Sequence, residues 1–191
     1  VREEEADVRE EEADVREEEA NVTEPELQLP SFDNMERFGY QMLLKPLESL
    51  IMVYPHKKLD AGEANVSGIV GKEGLNRVMS HTVKNKIRHK FDYKKTTLKD
   101  YGRIFSPNEI GKYSGKIKNI CESIMKSTGV VLIYSQYIDG GIVPAALTLE
   151  EMGYVRATPG LSLLESPPPP NGKKYVIISG DRGISPNNAL E

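Results

Sequence analysis

The sequence predicts an α/β fold, and three observations carry that reading. Val130 to Tyr134 are β-branched or aromatic with one Leu and no charge, the composition of a strand buried on both faces of a parallel sheet. Helical periodicity lies on either side of this run, which makes the unit αβα. A second apolar strand candidate follows from Tyr175 to Ser179, after a short strand at Tyr154 to Arg156 and a long loop.

Each helix has its own start and stop signals. Upstream, Ser106 is an N-cap, Pro107 fits the first helical position and Glu109 can close a capping box. The apolar face then runs through Ile110, Tyr113, Ile117, Ile120, Cys121, Ile124 and Met125, and Gly129 ends the helix. Downstream, Pro144 opens a helix through Ala145, Ala146, Leu147, Leu149 and Met152, and Gly153 stops it. Between the two helices the strand gives way to Ser135, Gln136, Tyr137, Asp139 and the pair Gly140 and Gly141. Open α/β sheets place their ligands at such a carboxyl end, so a binding site is expected there. The spacing alone fits any doubly wound domain equally well.

The chain of 191 residues suits one ordinary domain, or a domain with appendages. Only about 80 residues, from Pro107 onward, show continuous α/β patterning by periodicity, which predicts a small core. Apolar content of 38% and the absence of a long apolar run argue against a membrane span. The acidic opening is unlike a signal peptide. Cys121 sits on an apolar helix face as a small buried hydrophobe. His56, His81 and His89 lack metal-ligand spacing, which leaves zinc and histidine-based nucleophilic catalysis without support.

Residues 1–21 are three acidic heptads, Val1 to Asp7, Val8 to Asp14 and Val15 to Asn21. Each offers only Val and Ala as seam residues. A coiled coil would bury too little area to offset the cost of ordering the chain, so a fraying single helix or disorder is expected over 1–35. Pro25 and Pro30 end any helix there.

The heptads hold nine Glu and two Asp against three Arg, leaving 22 basic and 18 acidic side chains in the rest of the chain. The excess of positive charge concentrates between Lys84 and Lys99. There Lys84, Lys86, Arg88, Lys90, Lys94, Lys95 and Lys99 face one acid, Asp92, with Phe91, Tyr93 and Tyr101 interleaved or adjoining. Backbone neutralisation plus base stacking is what a single-strand-contacting groove requires. A solvated basic linker explains the same composition. Ser166-Pro-Pro-Pro-Pro-Asn-Gly172 reads as a rigid, exposed polyproline loop, more a spacer than a ligand.

The block Gly129-Val-Val-Leu-Ile-Tyr-Ser-Gln-Tyr-Ile-Asp-Gly-Gly-Ile-Val-Pro-Ala-Ala-Leu-Thr-Leu-Glu-Glu-Met-Gly-Tyr154 resembles the start of the second RecA-like lobe of superfamily-2 helicases of large DNA viruses. These are of the mimivirus and phycodnavirus type, distantly similar to the large subunit of the poxvirus early transcription factor. Looser likeness extends to Tyr175 to Asn188, Gly102 to Ser114 and Lys45 to Pro55, and so over most of residues 38–191.

The resemblance implies a partial RecA-like parallel sheet flanked by helices, with residues 36–105 as an inter-lobe region and 106–191 as the first half of the second lobe. It implies that Ser135, Gln136 and Tyr137, and the later Ser179, Gly180 and Asp181, contact a nucleic-acid backbone. Lys86, Arg88, Lys94 and Lys95 add charge. Hydroxyls and amides suit such contacts because they bond phosphate and sugar without reading sequence. Strand-end and helix-cap chemistry accounts for the same residues; Gly180 suits a turn with positive φ, and Asp181 a cap.

Members of that family use ATP and magnesium and pair with further lobes. The chain has no G-x-x-x-x-G-K-[ST] loop, since Gly71-Lys72 is followed by Glu73, and no acidic pair for magnesium. The arginine-rich motif is expected beyond Glu191. The chain therefore reads as a piece of a larger helicase or a truncated gene, without ATPase activity or cofactor of its own. It would act on DNA or RNA inside the cell, in a virion or host cytoplasm if viral, with no membrane partner. Two rivals remain. One is a non-enzymatic interaction module using the acidic repeats and the proline loop, and the other a flavodoxin-like nucleotide binder using Tyr137 to Gly141, which lacks a full Gly-rich turn into its helix.

Overall fold

Helices dominate the described residues, and the strands among them pair two by two. A computed structural model describes residues 43–63, 66–84, 88–158, 160–181 and 183–185, and at positions 83, 84, 88 and 89 the backbone alone. All of these lie in one compact unit, Gly39–Glu191. The heptads, the linker through residue 35 and Lys86 fall outside the described residues.

A helix over 43–49 (α1) leads to Met52 and Tyr54, both deep in the core. The short helix α2, Lys57–Asp60, is capped by His56, whose Nδ1 accepts from the Lys58 amide at 3.0 Å. Helix α3, Gly71–Val78, runs directly into strand β1, Met79–Lys84, which pairs antiparallel with β2, Arg88–Tyr93. The register sets Met79 opposite Tyr93 and His81 opposite Phe91. Met79, Phe91 and Tyr93 face the core while Ser80 and Asp92 face water, the period-two split of a half-buried hairpin. The free edge of β2 is covered, since Phe91 donates to the Leu163 carbonyl at 2.7 Å and accepts from Glu165 at 2.9 Å. Helix α4, Lys95–Tyr101, follows at once.

The helix expected to begin at Pro107 is two helices. Ile110–Tyr113 (α5) breaks at Ser114, and Gly115–Lys126 (α6) starts again. Ser114 causes the break. Its hydroxyl accepts from the Ile117 amide at 2.9 Å and donates to the Ile51 carbonyl at 2.5 Å, which caps α6 and ties it to the α1 region.

The expected strand at Val130 to Tyr134 is a correction. It joins no sheet, and no backbone hydrogen bond engages it among the described residues. Its side chains still alternate as in an extended chain. Val130, Leu132 and Tyr134 are 103%, 92% and 87% exposed, while Ile133 and Tyr137 turn inward. A strand buried on both faces needs ladders on both edges, and none of the described residues supplies one. The Tyr175 strand is reduced likewise. β3, Val155–Arg156, pairs in parallel with β4, Lys174–Tyr175, over two residue pairs, and beyond it Ile177 is buried between exposed Val176 and Ile178. Among the described residues no sheet exceeds two strands, so the fold is mixed helix and strand and the expected parallel sheet is not formed.

The second expected helix does form. A π-helical turn, Ile138–Ile142, passes into α7, Val143–Glu151, every residue of which is buried, with Pro144 in its first turn. Gly153 ends it at φ +86°, where a Cβ would press on the Pro169 carbonyl. The core gathers Met52, Tyr54, Leu75, Phe105, Ile117, Leu147 and Leu164 into one cluster, so it draws on both sides of position 105. No helix among the described residues is long and apolar enough to cross a membrane.

Candidate nucleic-acid interface

Hairpin geometry sorts the basic stretch into an apolar face and a charged one. Phe91 and Tyr93, 4% and 5% exposed, pack inward, and Tyr93 stacks against Phe105 with centroids 6.1 Å apart. Neither ring is open to a base, which corrects the expected stacking role. Tyr101 is engaged too, donating to Asp60 at 2.7 Å. The cations remain outside. Lys94, Lys95 and Lys99 are exposed, and none has an acidic partner within 4 Å among the described residues. The nearby Asp100 is held by Lys57 at 2.9 Å. Lys94 holds the N-cap position of α4 without a side-chain capping bond, and the first turn contains no acid, so both lysines stand against the helix dipole. Arg88 opens β2 opposite Lys84. Arg88, Lys94 and Lys95 thus fall on one continuous β2–α4 unit.

The polar segments singled out in the sequence form two copies of one turn. Ser135 Oγ accepts from the Tyr137 amide and donates to its carbonyl, both at 3.1 Å. Ser179 Oγ makes the same pair with Asp181, both at 3.3 Å. Asp181 Oδ1 then accepts from the Gly183 amide at 2.7 Å, so it caps the turn. Gly180 does not take the positive φ expected of it. Gln136 is exposed, whereas Tyr137 is half-buried with its hydroxyl enclosed and unbonded. The serine hydroxyls are committed to local backbone, which leaves Gln136 the freest polar group of the first turn.

Close approach explains Gly140 and Gly141. A Cβ on Gly141 would collide with Ser135 Oγ, and one on Gly140 would lie 3.0 Å from Glu48 Oε1 and 3.3 Å from Gly71 Cα. The glycines seat the π-helical turn against Ser135 and the start of α3. Beside them a cleft of about 460 Å³ is lined by Lys45, Glu48, Gly68, Lys72 and Glu73. Burial, then Glu73 and Asp139, push the Glu48 carboxyl up. Glu48 and Glu73 offset Lys45 and Lys72 here, where a phosphate-binding loop would need positive potential.

Sequence reasoning missed the carboxylates that organise α7. Glu150 is 1% exposed and accepts four hydrogen bonds. Leu163 N at 2.8 Å and Tyr175 OH at 2.6 Å reach Oε1; Leu164 N at 2.6 Å and Ser162 Oγ at 2.9 Å reach Oε2. Glu151 accepts from Tyr93 OH at 2.6 Å and pairs with Arg103 Nε at 3.0 Å. Arg103 also lies over the Tyr93 ring, 5.2 Å from its centroid, and donates to the Ser166 carbonyl. The Tyr93 hydroxyl is held well above its usual range by burial and then by Glu151. A charged pair ending an otherwise apolar helix was the available signal. Comparison with family models, with curated proteins and with solved structures found no match to this chain.

Proposed function

We propose that this chain contacts the backbone of a nucleic acid as part of a superfamily-2 helicase or translocase of the large-DNA-virus type, with the β2–α4 unit as the contact surface. The observation that carries the reading is the set of exposed lysines, Lys94, Lys95 and Lys99, left without acidic partners beside a hairpin whose aromatic residues are buried. Such a surface neutralises phosphates, and with Phe91 and Tyr93 buried it withholds those rings from a base, so binding is weak and independent of sequence. The RecA-like lobe is the parent fold in this reading. ATP and magnesium belong to the parent family, and the chain by itself releases no phosphate from ATP.

Single-stranded oligonucleotide binding measured against salt tests the proposal. Affinity falls steeply as salt rises, and substituting Lys86, Arg88, Lys94 and Lys95 together by Ala lowers the slope by about one unit for each phosphate no longer neutralised. Gln136→Ala weakens binding with little change in slope, because a neutral amide displaces no counterion. Equal slopes for the wild type and the quadruple variant would reduce the basic stretch to a solvated surface.

A second reading has one observation in its favour. Pro167, Pro169 and Pro170 are exposed in a loop held at both ends, by Arg103 on the Ser166 carbonyl and by Asn171 Nδ2 on the Met152 carbonyl at 2.8 Å. A pinned polyproline segment offers a preformed surface to an aromatic-lined partner, as an interaction module would.

A further inference from the structure

A second cleft, of about 240 Å³, lies between α2, the end of α3 and α4, and its lining includes His56, Lys57, Arg77, Thr96, Thr97 and Asp100. Helix α4 divides its residues between two sides. Thr96, Thr97, Asp100 and Tyr101 line the cleft, while Lys95, Leu98 and Lys99 occupy the remaining arc in solvent. The cleft is therefore distinct from the lysine surface.

Its charges do not balance. Lys57 and Asp100 neutralise each other at 2.9 Å. Arg77 donates Nε to the Gly68 carbonyl at 3.2 Å and has no carboxylate within 4 Å among the described residues. Its guanidinium lies against Gly68, and its remaining N–H groups have no hydrogen-bond partner among the described residues. His56 uses Nδ1 as an acceptor from Lys58, so in the neutral ring the proton sits on Nε2, leaving a donor. Burial, then Arg77 and Lys58, hold the His56 imidazole below its usual range, against the opposing pull of Glu63 and Asp60. Thr97 is the independent observation. It is only 4% exposed, it lines the cleft, and its hydroxyl has no hydrogen-bond partner among the described residues. That hydroxyl is open to the cleft, so a ligand oxygen can reach it.

We propose that this cleft binds a phosphoryl group, with Arg77 supplying charge and Thr97 Oγ1 and His56 Nε2 supplying directed donors. A tetrahedral anion with several acceptor oxygens can take bonds from groups on three different elements at once, which chloride cannot. The cleft exceeds the needs of one phosphate and leaves room for an attached sugar, so the group can be free or part of a chain. The inference is independent of the lysine surface proposed above.

The test follows the amide signals of Thr96 and Thr97 and the ring signals of His56 by NMR on the full chain. Inorganic phosphate replaces chloride at constant ionic strength. The expected result is a saturable shift at these residues. Thr97→Val keeps the side-chain volume and removes a hydroxyl the fold does not use, so the variant folds. It binds phosphate roughly 10-fold more weakly, the size of one hydrogen bond to a charged group. Arg77→Gln, a second and independent variant, loses saturable binding in the accessible range. Replacing Lys94 and Lys95 by Ala leaves phosphate affinity unchanged, which separates this site from the β2–α4 surface. A linear response indistinguishable from that to chloride, or unaltered phosphate affinity in Thr97→Val, overturns the proposal. Displacement of phosphate by a single-stranded oligonucleotide identifies a backbone phosphate as the ligand, and phosphate retained in its presence identifies a free phosphoryl compound; both support the site.

Discussion

Helix α7 and the segment 130–134 are close neighbours in the chain, yet burial divides them against their polarity. The helix carries two adjacent glutamates and is buried at every position. The segment has no charge and exposes Val130, Leu132 and Tyr134 almost fully. Backbone hydrogen bonding accounts for the difference. A helix satisfies its interior N–H and C=O groups within itself, so it enters the core once its side chains are matched, as Glu150 is by four donors. An extended chain must borrow every bond from a neighbour, and apolar side chains do not replace them.

The largest expected effect removes the match. Glu150→Ala strands the Leu163 and Leu164 amides in the core, and urea unfolding should show a loss of about 3–5 kcal/mol. If stability held within about 1 kcal/mol, the glutamate would not be organising the loop over α7. Glu151→Gln keeps a partner for Tyr93 and removes the charge opposite Arg103. Because Arg103 is 40% exposed, solvent compensates in part and the same measurement should read about 1–2 kcal/mol.

Alkaline pH tests two further groups of the fold. Burial pushes the Cys121 thiol from 9.0 up to about 11, and burial followed by the Asp60 hydrogen bond raises the Tyr101 hydroxyl from 10.0 to about 12. A raised acid holds its proton more tightly when folded, so its contribution is complete below the unfolded value and is lost as pH climbs to the folded one. Stability should therefore be level up to about pH 9 and fall between about pH 9 and 12, and thiol-directed labelling of Cys121 should be slow until the chain unfolds. Labelling of the native chain at the rate of a free thiol at about pH 8 would show the helix face to be open. The smallest effect belongs to the exposed segment, where Leu132→Lys should change stability by about 0.5 kcal/mol or less.

How much of this was legible follows from the same physics. Pro144 and Gly153 marked α7 because helix ends are local events, fixed by a ring and by a residue tolerant of positive φ. The break at Ser114 was not legible, because the Ile51 carbonyl that its hydroxyl bonds lies 63 residues away. The composition of 130–134 gave an extended chain, and its alternation survives, but its burial depended on partners that no single segment encodes. In the basic stretch, Phe91 and Tyr93 two positions apart carried a strand signal that the charges obscured, and the pairing with β1 resolves it. The turn at 179–181 was readable as turn chemistry, whereas Ser135 was read as strand-end or helix-cap chemistry and forms a turn instead. The cleft of His56, Arg77 and Thr97 was not, because it joins three separate elements.

Amide hydrogen exchange tests the central contrast most directly. Ladder-free backbone in solvent exchanges near the rate of an unstructured chain, and a buried helix exchanges only through larger opening. Strong protection is expected from Leu147 through Glu151 and near-random exchange from Val130 through Tyr134. Protection of 130–134 comparable to that of α7 would mean that the segment is hydrogen-bonded after all, and would contradict the claim that its missing partners keep an apolar run outside the core.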